Sequence, residues 1–170
     1  PNGYSGRLFA VVGLPLFILA CHLFSAIVTR ADPKKQNISE KLMNIVLWIC
    51  PVVSLYVSAM VYSYALGYAI NAARAGTFLV GILFVVVGNY LPKCRQSYTV
   101  GIKLPWTLDD EDNWYHTHRF ASYVWIVLGL AILVIGLLGN FPSVLLAATI
   151  VAVALPTLYS FVYAKRHGKA

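Results

Sequence analysis

Between residues 88 and 119 lie most of the side chains that could do chemistry. Lys93, Arg95, Lys103 and Arg119 could meet anions, His116 and His118 protons or metals, and Asp109, Asp110, Glu111 and Asp112 cations. Spacing narrows the choice. His116 and His118 stand two positions apart, an offset that points two rings away from each other on a helix, so a shared metal is not expected. A hydrolase using His118 with Asp110 or Asp112 would need a nucleophile, and the chain has no GxSxG or HExxH pattern. No cofactor or metal follows from these residues, and enzyme function is the minority reading. Its form would be a small transporter or lipid-processing enzyme whose substrate headgroup is held by Lys93, Lys103, His118 and Arg119. That reading requires these side chains to converge on a polar cavity below Trp106.

The order of the residues carries further content. Asn89 ends a long apolar run, and Pro92 pushes the residue before it out of helical geometry. Lys93 and Arg95 then reach headgroup depth, where each basic residue contributes about 1 kcal/mol of attraction to an anionic leaflet. Tyr98, Trp106, Trp114 and Tyr115 are the amphipathic rings expected at that depth. Gly101 permits backbone geometry that other residues resist, and Pro105 fixes an extended approach to Trp106. Thr107 and Asp110 have capping-box spacing, which predicts a short interfacial helix from Leu108 with the acidic cluster at its positive end. Asp110, Trp114 and His118 form one row on that helix, and Glu111, Tyr115 and Arg119 a second.

The elements around this stretch are membrane spans. At 59% hydrophobic and 11% charged, the chain lies in the range of polytopic membrane proteins. Apolar blocks at 8–29, 42–66, 70–91, 120–139 and 143–163 each meet the roughly 20 residues needed to cross a bilayer. They are apolar on all sides, unlike the alternating strands of a membrane barrel, so an all-α transmembrane bundle is expected. Asn140, Phe141 and Pro142 alone separate the last two blocks, which must form a tight hairpin.

A net charge of +7 could suggest nucleic acid, but the charges sit in alternate loops. Arg30, Lys34, Lys35 and Lys41 lie in the first loop, Lys93, Arg95, Lys103 and Arg119 in the third, and Lys165, Arg166 and Lys169 in the tail; only Arg7 and Arg74 fall on the other side. The positive-inside rule then places the amino end outside and the third loop and carboxyl end in the cytoplasm. The lipid bilayer is the expected partner, and direct nucleic-acid contact is not. The opening PNGYSGR has neither an initiator Met nor a signal sequence, and an upstream segment with one more span, giving six, is the expectation.

Cys21, Cys50 and Cys94 are an odd set without CxxC spacing and are assigned to packing. The sequon Asn37-Ile38-Ser39 is read as chance. Pro15, Pro51 and Pro156 are expected to bend their helices, and Gly81, Gly88, Gly129 and Gly136, spaced by seven within each pair, to bring helices close. His22 is the only ionisable group deep in a span, and hydrogen bonding to a neighbouring helix is preferred to a proton or ligand role.

GNYLPK at 88–93, VGIKLPWTL at 100–108 and WYHTHR at 114–119, in this order between two spans, resemble the signature of the SdpI family of bacterial membrane proteins. The resemblance is specific over residues 78–140. Its pattern falls on Gly88, Asn89, Pro92, Lys93, Gly101, Lys103, Pro105, Trp106, Thr107, Trp114, Thr117, His118 and Arg119. It implies immunity to a secreted, membrane-active peptide toxin of the sporulation-delaying type. For the family's namesake it also implies retention of a transcriptional repressor at the membrane, so a peptide toxin and a cytoplasmic repressor are the implied partners. The corresponding division of the chain is 1–7 as the end of an extracytoplasmic segment and 8–75 as the first two spans. Residues 76–163 are the family core with its loop 92–119, and 164–170 a basic cytoplasmic tail.

Overall fold

The computed structural model describes residues 6, 8–139 and 142–167. Arg7, Asn140, Phe141 and Lys169, used above for charge placement and the hairpin turn, lie outside the described residues. Among the described residues every regular element is helical. Five helical segments are long and apolar enough to span a bilayer: Phe9–Arg30, Glu40–Ala65, Ala72–Lys93, Glu111–Leu138 and Pro142–Arg166. The chain divides into two compact units, Pro1–Ala31 with Ser39–Ile70, and Asp32–Ile38 with Asn71–Ala170.

The first unit is a helical hairpin of α1 (Leu14–Arg30), entered through a π-helical turn at Phe9–Gly13, and α2 (Glu40–Ala65). The Ser39 hydroxyl starts α2 by accepting the Leu42 N–H at 3.3 Å, the usual way an N-cap satisfies one orphan donor. Pro51 lies inside α2 and Pro156 inside a later helix, and Pro15 lies within the helical segment Phe9–Arg30, directly after its π-helical turn, where the regular hydrogen-bond ladder is already disturbed. The hydrogen bond expected for His22 is not formed: its Nδ1 is buried without a partner.

The second unit contains α3 (Ala72–Tyr90), α4 (Pro105–Asp109), α5 (Glu111–Leu138) and α6 (Pro142–Arg166). α5 is central, packing on α3 along one side and α6 along another. The α3–α5 seam is built on missing side chains. A Cβ on Gly129 would stand 2.9 Å from the Gly81 carbonyl oxygen, and one on Gly88 3.0 Å from Ile126 and Trp125. Backbones that approach this closely gain dispersion contacts, the main attraction available between helices in lipid. On the α6 side, the Trp125 indole donates to the Ala152 carbonyl at 2.9 Å. At the end of α5 the Arg74 guanidinium donates to the carbonyls of Gly136 and Leu137, both at 2.9 Å, placing a cation where the helix leaves its carbonyls unpaired.

The third loop departs from its expected helix. No helix starts at Leu108. α4 begins at Pro105, whose fixed φ and missing N–H suit the first helical position, and it ends after one turn. Asp110 then caps α5, accepting the Asp112 N–H at 3.2 Å, with Glu111 and Asp112 in the first turn. The acidic cluster thus serves the positive end of a 28-residue helix, and WYHTHR forms part of its opening turns. The signature residues from Trp114 to Arg119 are therefore held as rigidly as the span itself.

Candidate functional site

Gly101, Thr107, Trp114, Thr117 and His118 gather in a buried knot above the α3–α5–α6 packing. Trp114 is 2% exposed and His118 1%, so Trp114 is a core residue here and not the interfacial ring expected of it. Their rings stack at 4.1 Å. The Trp114 indole donates to the Cys94 carbonyl at 2.8 Å, tying α5 to the start of the loop. His118 Nε2 accepts the Ile102 N–H at 2.8 Å, and its Nδ1 lies 2.7 Å from the Trp114 carbonyl. A backbone N–H can only donate, so Nε2 carries the lone pair and Nδ1 the proton. Both nitrogens are used, and the ring orders the loop through a fixed tautomer. Gly101 makes this possible, with φ of +123° and its Cα so close that a Cβ would lie 2.6 Å from both His118 Nε2 and the Trp114 ring.

Thr107 locks the next turn. Its hydroxyl accepts the Leu104 N–H at 2.9 Å and lies 2.9 Å from the Ile102 and Leu104 carbonyls, to which it can donate. Pro105 opens α4 and thereby sets Trp106 against α6, where its indole donates to Ser160 Oγ at 2.8 Å and its ring meets Phe161 edge-on at 5.5 Å. From Ser160 the network runs inward. Its hydroxyl donates to Asn113 Oδ1 at 3.0 Å, which also accepts the Thr117 hydroxyl at 2.9 Å, while Asn113 Nδ2 donates to the Ser160 carbonyl at 3.1 Å. Asn113, Thr117 and Ser160 are fully buried, where a missing partner would cost about 1–3 kcal/mol per group.

A strap from the first loop closes the knot. Asp32, 3% exposed, accepts through Oδ1 from the Lys34 amide at 2.8 Å. Its Oδ2 accepts from the amides of Tyr98 at 3.0 Å and Thr99 at 2.9 Å and from the Thr99 hydroxyl at 2.6 Å. Burial alone would raise its pKa, but the Thr99 hydroxyl and these amides outweigh it and hold the carboxyl below its ordinary value. Lys34 bonds to the Gln96 side chain, and Asn37 donates to the Gln96 carbonyl at 2.8 Å. Gln96 in turn donates to the carbonyls of Thr107 and Leu108 at 3.0 and 2.7 Å. Asn37, the asparagine of the sequon, thus has a structural role in the strap.

Asp32, Gln96, Asn113 and Ser160 escaped the sequence reading. They are single polar residues at ordinary loop or helix positions, and the one available signal was their presence in or next to apolar runs. The remaining signature residues point outward. Asn89 and Pro92 are exposed, and Lys93 lies over the Tyr90 ring at 4.7 Å. Exposed Lys103 reaches the Thr99 carbonyl at 3.3 Å, and exposed Arg119 donates to the Tyr115 hydroxyl at 2.8 Å. Of Lys93, Lys103, His118 and Arg119, three are exposed, His118 is buried with both ring nitrogens used, and only Lys93 lines a cleft beside the knot. Among the described residues no group of three or more His, Cys, Asp or Glu is placed to hold a metal. Beside the knot lies a cleft of about 520 Å³, lined by Lys93, Arg95, Glu111 and Tyr115 among others. Cys94 lines it too, and burial pushes its thiol up to about 11.

Five helices long and apolar enough to cross a bilayer, two of them connected by a polar, internally bonded loop, define a multi-pass helical membrane protein. The chain belongs to the SdpI/YfhL protein family, whose model matches residues 93–160, from the loop through α5 and most of α6. It is 30% identical over 159 residues to the immunity protein SdpI of Bacillus subtilis, a match covering 90% of this chain and 73% of that protein. No solved structure matches it.

Proposed function

We propose that this protein confers immunity to a secreted, membrane-active peptide toxin, acting as a non-catalytic component of the bacterial cell membrane. The observation that carries the reading is the 30% identity to an immunity protein across 90% of the chain. The geometry is consistent with it, because the signature residues that look most chemical, His118 and Trp114, are consumed in ordering the loop. In this reading the amino end of the chain is outside, and the third loop and carboxyl end face the cytoplasm, an orientation supported by the concentration of basic residues in alternate loops. Deleting the gene and exposing cells to the toxin tests it. Sensitivity should rise and return to normal on complementation; unchanged sensitivity rejects immunity.

The exposed members of the signature have a second role in this proposal. Lys103 and Arg119 stand on the cytoplasmic surface as cations able to dock an acidic face of a repressor, and the buried members hold them in place. Lys103→Glu and Arg119→Glu should abolish membrane recruitment of that partner, read by fractionation, while the protein stays in the membrane at normal abundance. Recruitment retained in both variants removes the loop from that role.

A further inference from the structure

In the knot almost every polar group is bonded; in the cleft beside it the charges are not. Arg95 and Glu111 have neither an ion pair nor a hydrogen bond among the described residues, and Lys93 meets only the Tyr90 ring. Asn37 spends its amide nitrogen on Gln96 and keeps a carbonyl oxygen free. The cleft stands at the ends of two apolar helices: Lys93 is the last residue of one candidate span and Glu111 the first of the next, the position where polar headgroups are met.

From these observations we infer that the cleft binds the phosphoethanolamine group of a phospholipid. Two cations and one carboxylate on a single cleft match a ligand that carries both signs a few bonds apart. The Arg95 fork suits two phosphate oxygens and Lys93 adds a point charge, while a primary ammonium offers three N–H donors to Glu111 and the Asn37 oxygen. A trimethylammonium head has no N–H to offer, and a purely anionic head would leave Glu111 facing like charge. The volume of about 520 Å³ leaves room for the head and its glycerol.

The test uses the full chain in detergent, titrated with dioctanoyl phosphatidylethanolamine, -choline or -glycerol, with binding read by native mass spectrometry and by thermal stability. The ethanolamine lipid should bind about tenfold more tightly than either of the others. Glu111→Gln should remove that preference and leave choline-lipid binding unchanged. Arg95→Gln should weaken all three lipids; Arg95→Lys, which keeps the charge but loses the fork, should weaken them less and serves if Arg95→Gln fails to fold. Lys165→Gln, outside the cleft, should behave as the parent. Soluble glycerophosphoethanolamine separates the sources: if it competes as well as the lipid, the same chemistry is read from a soluble ester. Equal affinity for the ethanolamine and choline lipids, a preference for phosphatidylglycerol, or an ethanolamine preference that survives Glu111→Gln overturns the proposal.

Discussion

The α3–α5 seam and the loop knot are parts of one compact unit held together by opposite means. At the seam, Gly81, Gly88 and Gly129 remove side chains so that two backbones touch, and its cohesion is dispersion spread over many weak contacts. In the knot, Asp32, Gln96, Thr107, Asn113, His118 and Ser160 are polar, buried and bonded in specific directions. The contrast follows from solvent. Inside hydrocarbon a backbone segment must bond to itself, so helices are the rule and side chains need only fit. Beyond the span the chain leaves helical geometry, and each freed amide and carbonyl needs a partner found elsewhere. A seam degrades gradually when its fit is disturbed, whereas a network loses a whole bond at a time.

Gly101→Ala tests the knot most severely. Alanine would have to adopt φ of +123° and place a methyl 2.6 Å from His118 and Trp114, so a loss of more than about 3 kcal/mol is expected, seen as near-absence of folded protein in the membrane fraction. Next comes His118→Ala, which orphans the Ile102 amide and opens a cavity beneath Trp114, at about 2–4 kcal/mol by thermal unfolding. For the seam, Gly129→Ala should cost about 1–3 kcal/mol, since its methyl would stand 2.9 Å from the Gly81 carbonyl oxygen and α3 must part from α5 to admit it. If Gly129→Ala proves as damaging as Gly101→Ala, the distinction between forgiving and unforgiving packing fails.

Smaller effects sharpen the picture at the strap. Asp32 has a folded-state pKa below its reference of 3.8, so the stability it contributes is fully present above that reference and is lost as pH falls through the folded value. Asp32→Asn should therefore lower the melting temperature at neutral pH, and its gap from the parent should narrow as the pH falls below the reference of 3.8 and through the lowered folded-state value. A gap constant with pH would mean that the carboxylate charge does not hold the strap. At the low end, Lys103→Glu and Arg119→Glu should leave the melting temperature close to that of the parent, since both side chains are exposed and bonded only locally.

How the site was legible divides along the same line. Gly101, Pro105, Trp106 and Trp114 could be selected from sequence because glycine, proline and large amphipathic rings have few interchangeable uses in a loop, Thr107 by its spacing from Asp110, His118 by its place in a helical row, and the set as a whole by the family resemblance. Their roles were another matter. Trp114 and Tyr115 read alike as interfacial rings, yet one is core and the other exposed, because helix phase at the start of α5 turns them to different sides. The helix boundary was misplaced since Thr107 and Asp110 fit a capping box, while the structure uses Thr107 inside α4 and Asp110 as the cap of α5.

By itself the sequence determined that the chain is an all-helical membrane protein and where its spans run, because both depend on the hydrophobicity of about 20 consecutive residues, a property local to the chain. Only the tertiary structure decided which polar residues are structural. Thr99 and Asp32 are 67 positions apart and Ser160 and Asn113 47, and their hydrogen bonds exist only once α5, α6 and the first-loop strap are assembled. A single buried polar side chain looks the same in a sequence whether its partner is water, lipid or a carbonyl two helices away. Pairing over such distances is settled by packing.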